Sequence, residues 1–414
     1  MDTDLEASVT PRLVTAPRIA LTLAYVLSCS TVSRAQDRPT LVQSIDIQVP
    51  TPPMPVRIAG TRHLAYELHI TNFRTSEVEL TGVDILDPDR NVSVRSYRDR
   101  ELAATLSHAG KRDRAADARV VGAGVRAVMF LWLALDDSLP MPARLRHRIE
   151  LGVMTPSGRE RAMVEGAASD VRGDAPVALD PPLRGGPWAA VYDPTMIGGH
   201  RTSIYAVDGK ARIPGRFAID WIKLDEDARP ARGDATSIAN WHGYGADVLA
   251  VADGVVSDIW DDMPESPLPS TGPRASIPLE AASGNYITLD LGGGRYAFYE
   301  HLARGSVRVR PGDRVTRGQV IGRLGNSGSS SAGPHLHFHV ADTNAALGAE
   351  GLPWVLRGFE VLGGFDTIAS VATGARWKPV PPNVGGRRTM ELPAANTVIT
   401  FPSGAAGETT SPRR

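Results

Sequence analysis

Along most of this chain apolar and polar residues alternate with the period of two that belongs to β-strands. HLAYELHITNF (63–73) and EVELTGVDIL (77–86) both alternate, and NFRTSE (72–77) at their junction predicts a hairpin connection. RAVMFLWLAL (126–135) is apolar almost throughout, as expected of a strand at a sheet centre, and ARLRHRIEL (143–151) resumes the alternation. Short strands at this spacing, with little helical periodicity, predict a β-sandwich-like domain over residues 40–170. The loop-rich link DAPVALDPPLRGGPW (174–188) closes it.

A second run of strand patterns predicts another domain over 187–365. SIYAVDGKARI (203–213) is a hairpin, because Asp-Gly between two β-patterned runs is the strongest short-range turn signal. RFAIDWIKL (216–224), DVLAVADGVVSDIW (247–260), NYITLDLGGGRYAFYEHL (285–302) and VRPGDRVTRGQVIGRLGNSG (309–328) follow as strands and turns. Residues 261–284, rich in Pro and Ser, are expected to form a surface insertion, and 375–414, rich in Pro, Gly, Ser and Thr, a flexible, disordered tail. The expected fold class is all-β: a β-sandwich-like domain, a second β-sheet domain and a loose tail.

Composition narrows the setting. A chain of 414 residues with 42% hydrophobic and 22% charged residues has an ordinary globular composition. A formal net charge of −1 argues against broad electrostatic binding to nucleic acid or anionic membrane. At the N-terminus, RIALTLAYVLS (18–28) follows Arg12 and Arg18, and SRAQ (33–36) offers small residues for a cut after Ala35, so residues 1–35 read as a secretory signal. The apolar run is too short for a span, no later segment is long enough for one, and the mature chain is expected to be secreted or periplasmic. Asp2, Asp4 and Glu6 depart from the basic start such signals have. Cys29, in the lipoprotein-type context VLSC, is the only cysteine; it reads more simply as a small apolar residue lost with the signal, and no intramolecular disulfide can form.

Three of the ten histidines sit in GPHLHFHV (333–340), where His335, His337 and His339 occupy every second position. On a strand they face one side of the sheet. Zinc takes His nitrogen and Asp or Glu oxygen, and catalytic sites use three protein ligands and leave one position open. His301, in YEHL, ends another strand pattern and can reach the same wall. His63, His69, His108 and His147 are scattered through the first domain without ligand spacing and read as structural or surface residues.

VLAVADGVV (248–256), YAFYEHL (296–302), VRPGDRVTRGQVIGRLGNSG (309–328) and GPHLHF (333–338) together resemble the catalytic domain of lysostaphin- and LytM-type zinc metallopeptidases, which cut peptide cross-links of bacterial peptidoglycan. The resemblance covers roughly residues 200–345. It implies zinc as cofactor, peptidoglycan peptides as substrate, His337 as a zinc ligand, and His301 and His335 as non-ligand catalytic histidines. His339 stands where the family often has Glu. The family's first motif is a His followed four residues later by a ligand Asp; Asp220 fits the Asp, but Arg216 stands in the His position. Arginine offers no lone pair to a metal.

His200 and His242 are the available substitutes, and the absence of any replacement is the third possibility. The Asp208-Gly209 turn places position 200 opposite about 217, and a bulge at Pro214-Gly215 would turn His200 to Asp220's side. Two functions follow: a zinc endopeptidase, or a catalytically degenerate LytM-like binding module or activator of another cell-wall hydrolase. A lipoyl-type carrier, suggested by VRPGDRVTRGQVIG, is disfavoured because no lysine stands at the hairpin tip. Oligomeric state and the bond cleaved are not readable.

Overall fold

A computed structural model of the chain describes residues 45–109, 117–268, 277–329, 333–372, 375–381 and 386–402. Residues 1–35, where a secretory signal is expected, and Cys29 within them lie outside the described residues. Strands dominate, as the period-two pattern requires, and the α-helices among the described residues are the short Asp99–Thr105 and Ile368–Ala372.

Two antiparallel sheets form the first part. One has Thr61–Asn72 and Arg126–Ala134 at its centre, flanked by Ile45–Gln48 and Leu106–His108, with Pro55–Ile58 also pairing Thr61–Asn72. The other runs Gly158–Asp170, Arg144–Thr155, Val78–Asp87, Val92–Arg98. Leu64, Tyr66, Leu68 and Ile70 alternate inward and meet Leu80, Val83 and Ile85 of the facing sheet in one core. The stretch after Asn72 therefore crosses from one sheet to the other and is not the hairpin that NFRTSE predicted. Asn72 anchors the crossing by donating its side-chain amide to the carbonyls of Ser76 and Val121, both at 2.9 Å.

The outward face of Thr61–Asn72 is buried as well, which alternation alone does not foresee. Val128 and Phe130, outward on the neighbouring strand, pack on Ile213, and Trp132 lies against Tyr192 and Phe217. Residues between Tyr192 and Phe217 thus cover this face.

The second run of strands forms a large antiparallel sheet whose middle strands are Tyr296–Leu302, Leu336–Ala341, Ile219–Lys223 and Trp188–Val191. Leu336, Phe338 and Val340 point into a core with Trp221, Tyr299 and Trp354. His337 and His339 of the same strand, with His335 immediately before it, point the other way, as the sequence predicts. The Asp-Gly hairpin forms as expected: Tyr205–Val207 pairs with Lys210–Arg212, and both Asp208 (φ 50°) and Gly209 (φ 73°) take the left-handed backbone of a primed turn.

One expectation needs correction. Residues 386–402 are not a loose tail, because Thr397–Thr400 is inserted between Trp188–Val191 and Phe359–Gly364. Val398, Ile399 and Phe401 are buried there, enough apolar surface to order a segment whose Pro and Gly content suggested otherwise. Residues 403–414 lie outside the described residues. Within 261–284 most of the described residues are exposed or partly buried, as expected of a surface insertion, and the stretch up to 268 is also tied to the body. The Met263 amide donates to Asn285 Oδ1 at 2.8 Å, Glu265 bridges to Ser327, and Leu268 is buried.

Candidate metal centre

Strand register builds the site. Asp220 is paired with His337, and His337 with Glu300, so three adjacent strands bring these side chains to one face. His337 Nδ1 lies 2.9 Å from Asp220 Oδ1, and His200 Nε2 lies 2.9 Å from Asp220 Oδ2. The rings of His200 and His337 meet edge to face with centroids 4.6 Å apart. The bulge anticipated for His200 does not exist. His200 instead opens a short 3₁₀ turn (His200–Thr202) that packs on a second one (Pro214–Phe217). A Cβ on Gly215 would sit 3.0 Å from His200 Cβ, so any side chain there would crowd His200 and push the two turns slightly apart.

His301 and His335 stand beside this group, with ring centroids 4.8 Å apart, and His335 Nε2 is 3.5 Å from Asp220 Oδ1. Each is oriented through Nδ1 by a main-chain carbonyl, His301 to Ser327 at 2.8 Å and His335 to Gly333 at 2.7 Å. His301 also holds a left-handed backbone, φ 62°, uncommon for a residue with a side chain and concentrated at functional sites. Its amide donates to Ser283 O and its carbonyl accepts from the Gly325 amide, which keeps it there.

Charge follows burial and neighbours. Burial alone would raise the Asp220 carboxyl, but His200, His335 and the bonds to His200 and His337 outweigh it and hold the group well below the ordinary range. Burial would lower His337, yet Glu300 and Asp220 raise it. His339 is pushed well down by burial and by His337. It accepts or donates at Nδ1, 3.1 Å from His337 Nε2, and stacks on Phe298 with the planes 4° apart.

Ligand-type atoms of His200, Asp220 and His337 all lie within 4.8 Å of one another. Two imidazole nitrogens and one carboxylate oxygen are a donor set that suits zinc, with room for a fourth position. Glu300, His337 and His339 form a second such group, sharing His337. A cavity of about 590 Å³ opens beside His200 and Asp220, walled by Tyr192, Met196, Trp241 and Leu268 among others.

The sequence profile of Peptidase family M23 has its counterpart here. Residues 237–348 match it. The M23 match contains His301, His335, His337 and His339 and begins downstream of His200, Arg216 and Asp220. A curated relative, the peptidoglycan DD-endopeptidase ShyA of Vibrio cholerae serotype O1, is 40% identical over 58 residues, which are 14% of this chain and 13% of that protein's length. Among the solved structures the chain is similar to is the catalytic domain of the antimicrobial peptidase lysostaphin from Staphylococcus simulans, at 19% identity over 41% of this chain and 88% of that one, with a TM-score of 0.22. Another is a zinc containing peptidase from Vibrio cholerae, at 15% identity over 70% of this chain and 81% of that one, also with a TM-score of 0.22.

The structure separates the two histidine substitutes, His200 upstream of the M23 match and His242 within it. His242 Nε2 lies 3.7 Å from Asp225 Oδ2, away from Asp220, and only His200 joins the cluster. Arg216 is turned away from it, into buried contacts with Glu67 and Glu350. Glu300 and the Glu67–Arg216 pair were missed in the sequence. Glu300 had a local signal, being next to His301 on a strand. Glu67 had none, because its partners lie far along the chain.

Proposed function

We propose that this chain is a secreted or periplasmic zinc endopeptidase that hydrolyses peptide bonds of bacterial peptidoglycan, with His200, Asp220 and His337 as metal ligands and His301 and His335 as catalytic histidines. The observation that carries this reading is the convergence of His200 and His337 on the two oxygens of Asp220, with His301 and His335 beside them on the same sheet face. A zinc ion held there supplies Lewis acidity toward a peptide carbonyl and makes a water nucleophilic near neutral pH.

The chain's own groups do the rest. With Nδ1–H donated to a carbonyl, each of His301 and His335 presents an unprotonated Nε2, the arrangement needed to take a proton from an attacking water and return it to a leaving amine. His337 turns Nδ1 toward Asp220, the nitrogen that would face a metal shared with that carboxylate, and Nε2 toward His339, which orients the ring through its second nitrogen. The apolar walls of the adjoining cavity give a peptide chain a place to lie next to these groups. The apolar run at 18–28 and the small residues at 33–36 support export, and no helix among the described residues is long and apolar enough to cross a membrane.

Arg216 in the usual ligand position favours a second reading, a degenerate module that binds the cell wall or activates another hydrolase. Metal content separates the two. Purified protein is analysed for zinc, wild type beside His337→Ala and His200→Ala, and muropeptide release is assayed on the same samples. About one zinc per chain, lost with hydrolysis in both variants, supports the peptidase. A wild type that cannot be loaded with zinc and releases nothing leaves the binding module.

A further inference from the structure

The turn carrying His200 is held by the other domain. Arg201, the next residue, is buried, and its guanidinium binds Glu67 and donates to the carbonyls of Tyr66 and Leu131 at 3.0 and 2.8 Å. All three acceptors belong to the two central strands of the sandwich sheet. The same guanidinium lies over the rings of Phe130 and Trp132 from those strands. Ile197 and Ile204, on either side of the turn, pack against Val128 and Phe130. Glu67 is shared: Arg216 donates to both its oxygens, at 2.6 and 2.5 Å, and also binds Glu350. Two arginines and two glutamates thus make a buried, charge-balanced cluster across the two domains. Burial by itself would raise the Glu67 carboxyl, but Arg216 and Arg201 overcome it and keep it below its ordinary value.

We propose that the sandwich domain builds the third ligand of the metal centre: Glu67, acting through Arg201, is a positioning residue that fixes the turn from which His200 reaches Asp220. This rests on the zinc reading above and assigns the first domain a role at that site. The physical logic is preorganisation. A three-residue 3₁₀ turn between loops has little rigidity of its own, and a ligand borne on it is held to bonding distance only if its backbone is held. Here the backbone is held by a five-donor guanidinium adjacent to the ligand, whose acceptors are a carboxylate and two strand carbonyls. Arg216, at the position where the resembled family carries its ligand histidine, completes the same cluster by neutralising Glu67. A residue that cannot bind metal here supports the residue that can.

The test uses the full chain and zinc affinity measured by competition with a chromophoric chelator. Glu67→Gln alone strands two buried arginines on one carboxylate, so it is combined with Arg201→Met, which leaves the neutral Arg216–Glu350 pair. The double variant should bind zinc roughly 10- to 100-fold more weakly than wild type, the cost typical of losing an outer partner of a ligand. Added to His200→Ala, the same two changes should weaken zinc binding no further, because the clamp acts through His200. If the double variant does not fold, Arg201→Lys replaces it. That variant keeps the charge beside Glu67 but loses the fork to Tyr66 O and Leu131 O, and the same non-additivity with His200→Ala is expected. Unchanged affinity in the clamp variant, or losses that multiply with His200→Ala, overturns the positioning role while leaving the zinc reading intact. A wild type that takes up no zinc defeats the zinc reading itself.

Discussion

Asp220 Oδ2 and His200 Nε2 stand 2.9 Å apart although 20 residues of chain separate them, whereas Arg216, four residues before Asp220, faces the opposite domain. If His200 serves in place of a residue at 216, His200→Ala should weaken zinc binding by more than the roughly 10–100-fold expected for an outer partner. His242→Ala, at the other candidate position, should leave it unchanged. Chelator competition on the two variants checks both.

His301 and His335 touch no more than the edge of the ligand group and are each oriented by a main-chain carbonyl. Replacing either with alanine should therefore leave zinc content near wild type while turnover on muropeptides falls by about 10²–10⁴-fold. Loss of metal in both variants would place these residues among the ligands instead.

Gly333 orients His335 through its carbonyl and holds φ at 90°, and an added Cβ would lie 2.4 Å from the Trp241 ring. Gly333→Ala has to move the backbone. A shift on the order of 1 Å at the imidazole is enough to cost about 100-fold in rate, so kcat should fall while zinc affinity holds.

Ile399 is fully buried in the strand Thr397–Thr400, paired with Trp188 and Val361. Ile399→Ala should destabilise the protein by about 2–5 kcal/mol in denaturant unfolding. A neutral result would mean that this strand is dispensable to the sheet.

His147, in the sandwich core, bonds Tyr66 Oη at 2.9 Å and is pulled by burial down to about 4. Above pH 6.5 the ring is neutral in both the folded and unfolded chain. As pH falls below 6.5 the unfolded chain takes up a proton that the folded chain refuses until about pH 4, so stability is lost through that window. The loss from this one group is roughly 3 kcal/mol. Unfolding curves between pH 7 and pH 4 should show a steeper decline for wild type than for His147→Gln by about that amount.

The period-two pattern by itself determined that this is a strand protein, that His335, His337 and His339 share a face, and that Asp208-Gly209 turns a hairpin, because each depends on residues within one or two positions of each other. The motif order singles out His301, Asp220 and His337, and the fold brings the three side chains together. Three matters were decided only by the tertiary structure. The side of the sheet to which Thr397–Thr400 returns depends on the open edge of Trp188–Val191, some two hundred residues away, so a Pro- and Gly-rich composition suggested looseness where the packing imposes order. That His200 and not His242 stands beside Asp220 rests on two short turns meeting at Gly215, a contact between separate segments to which strand parity does not apply. Glu67 looks like an ordinary outward residue of an alternating strand. It becomes a buried partner of Arg201 and Arg216 because a second domain covers that face, and burying those charges without one another would cost more than the fold could bear.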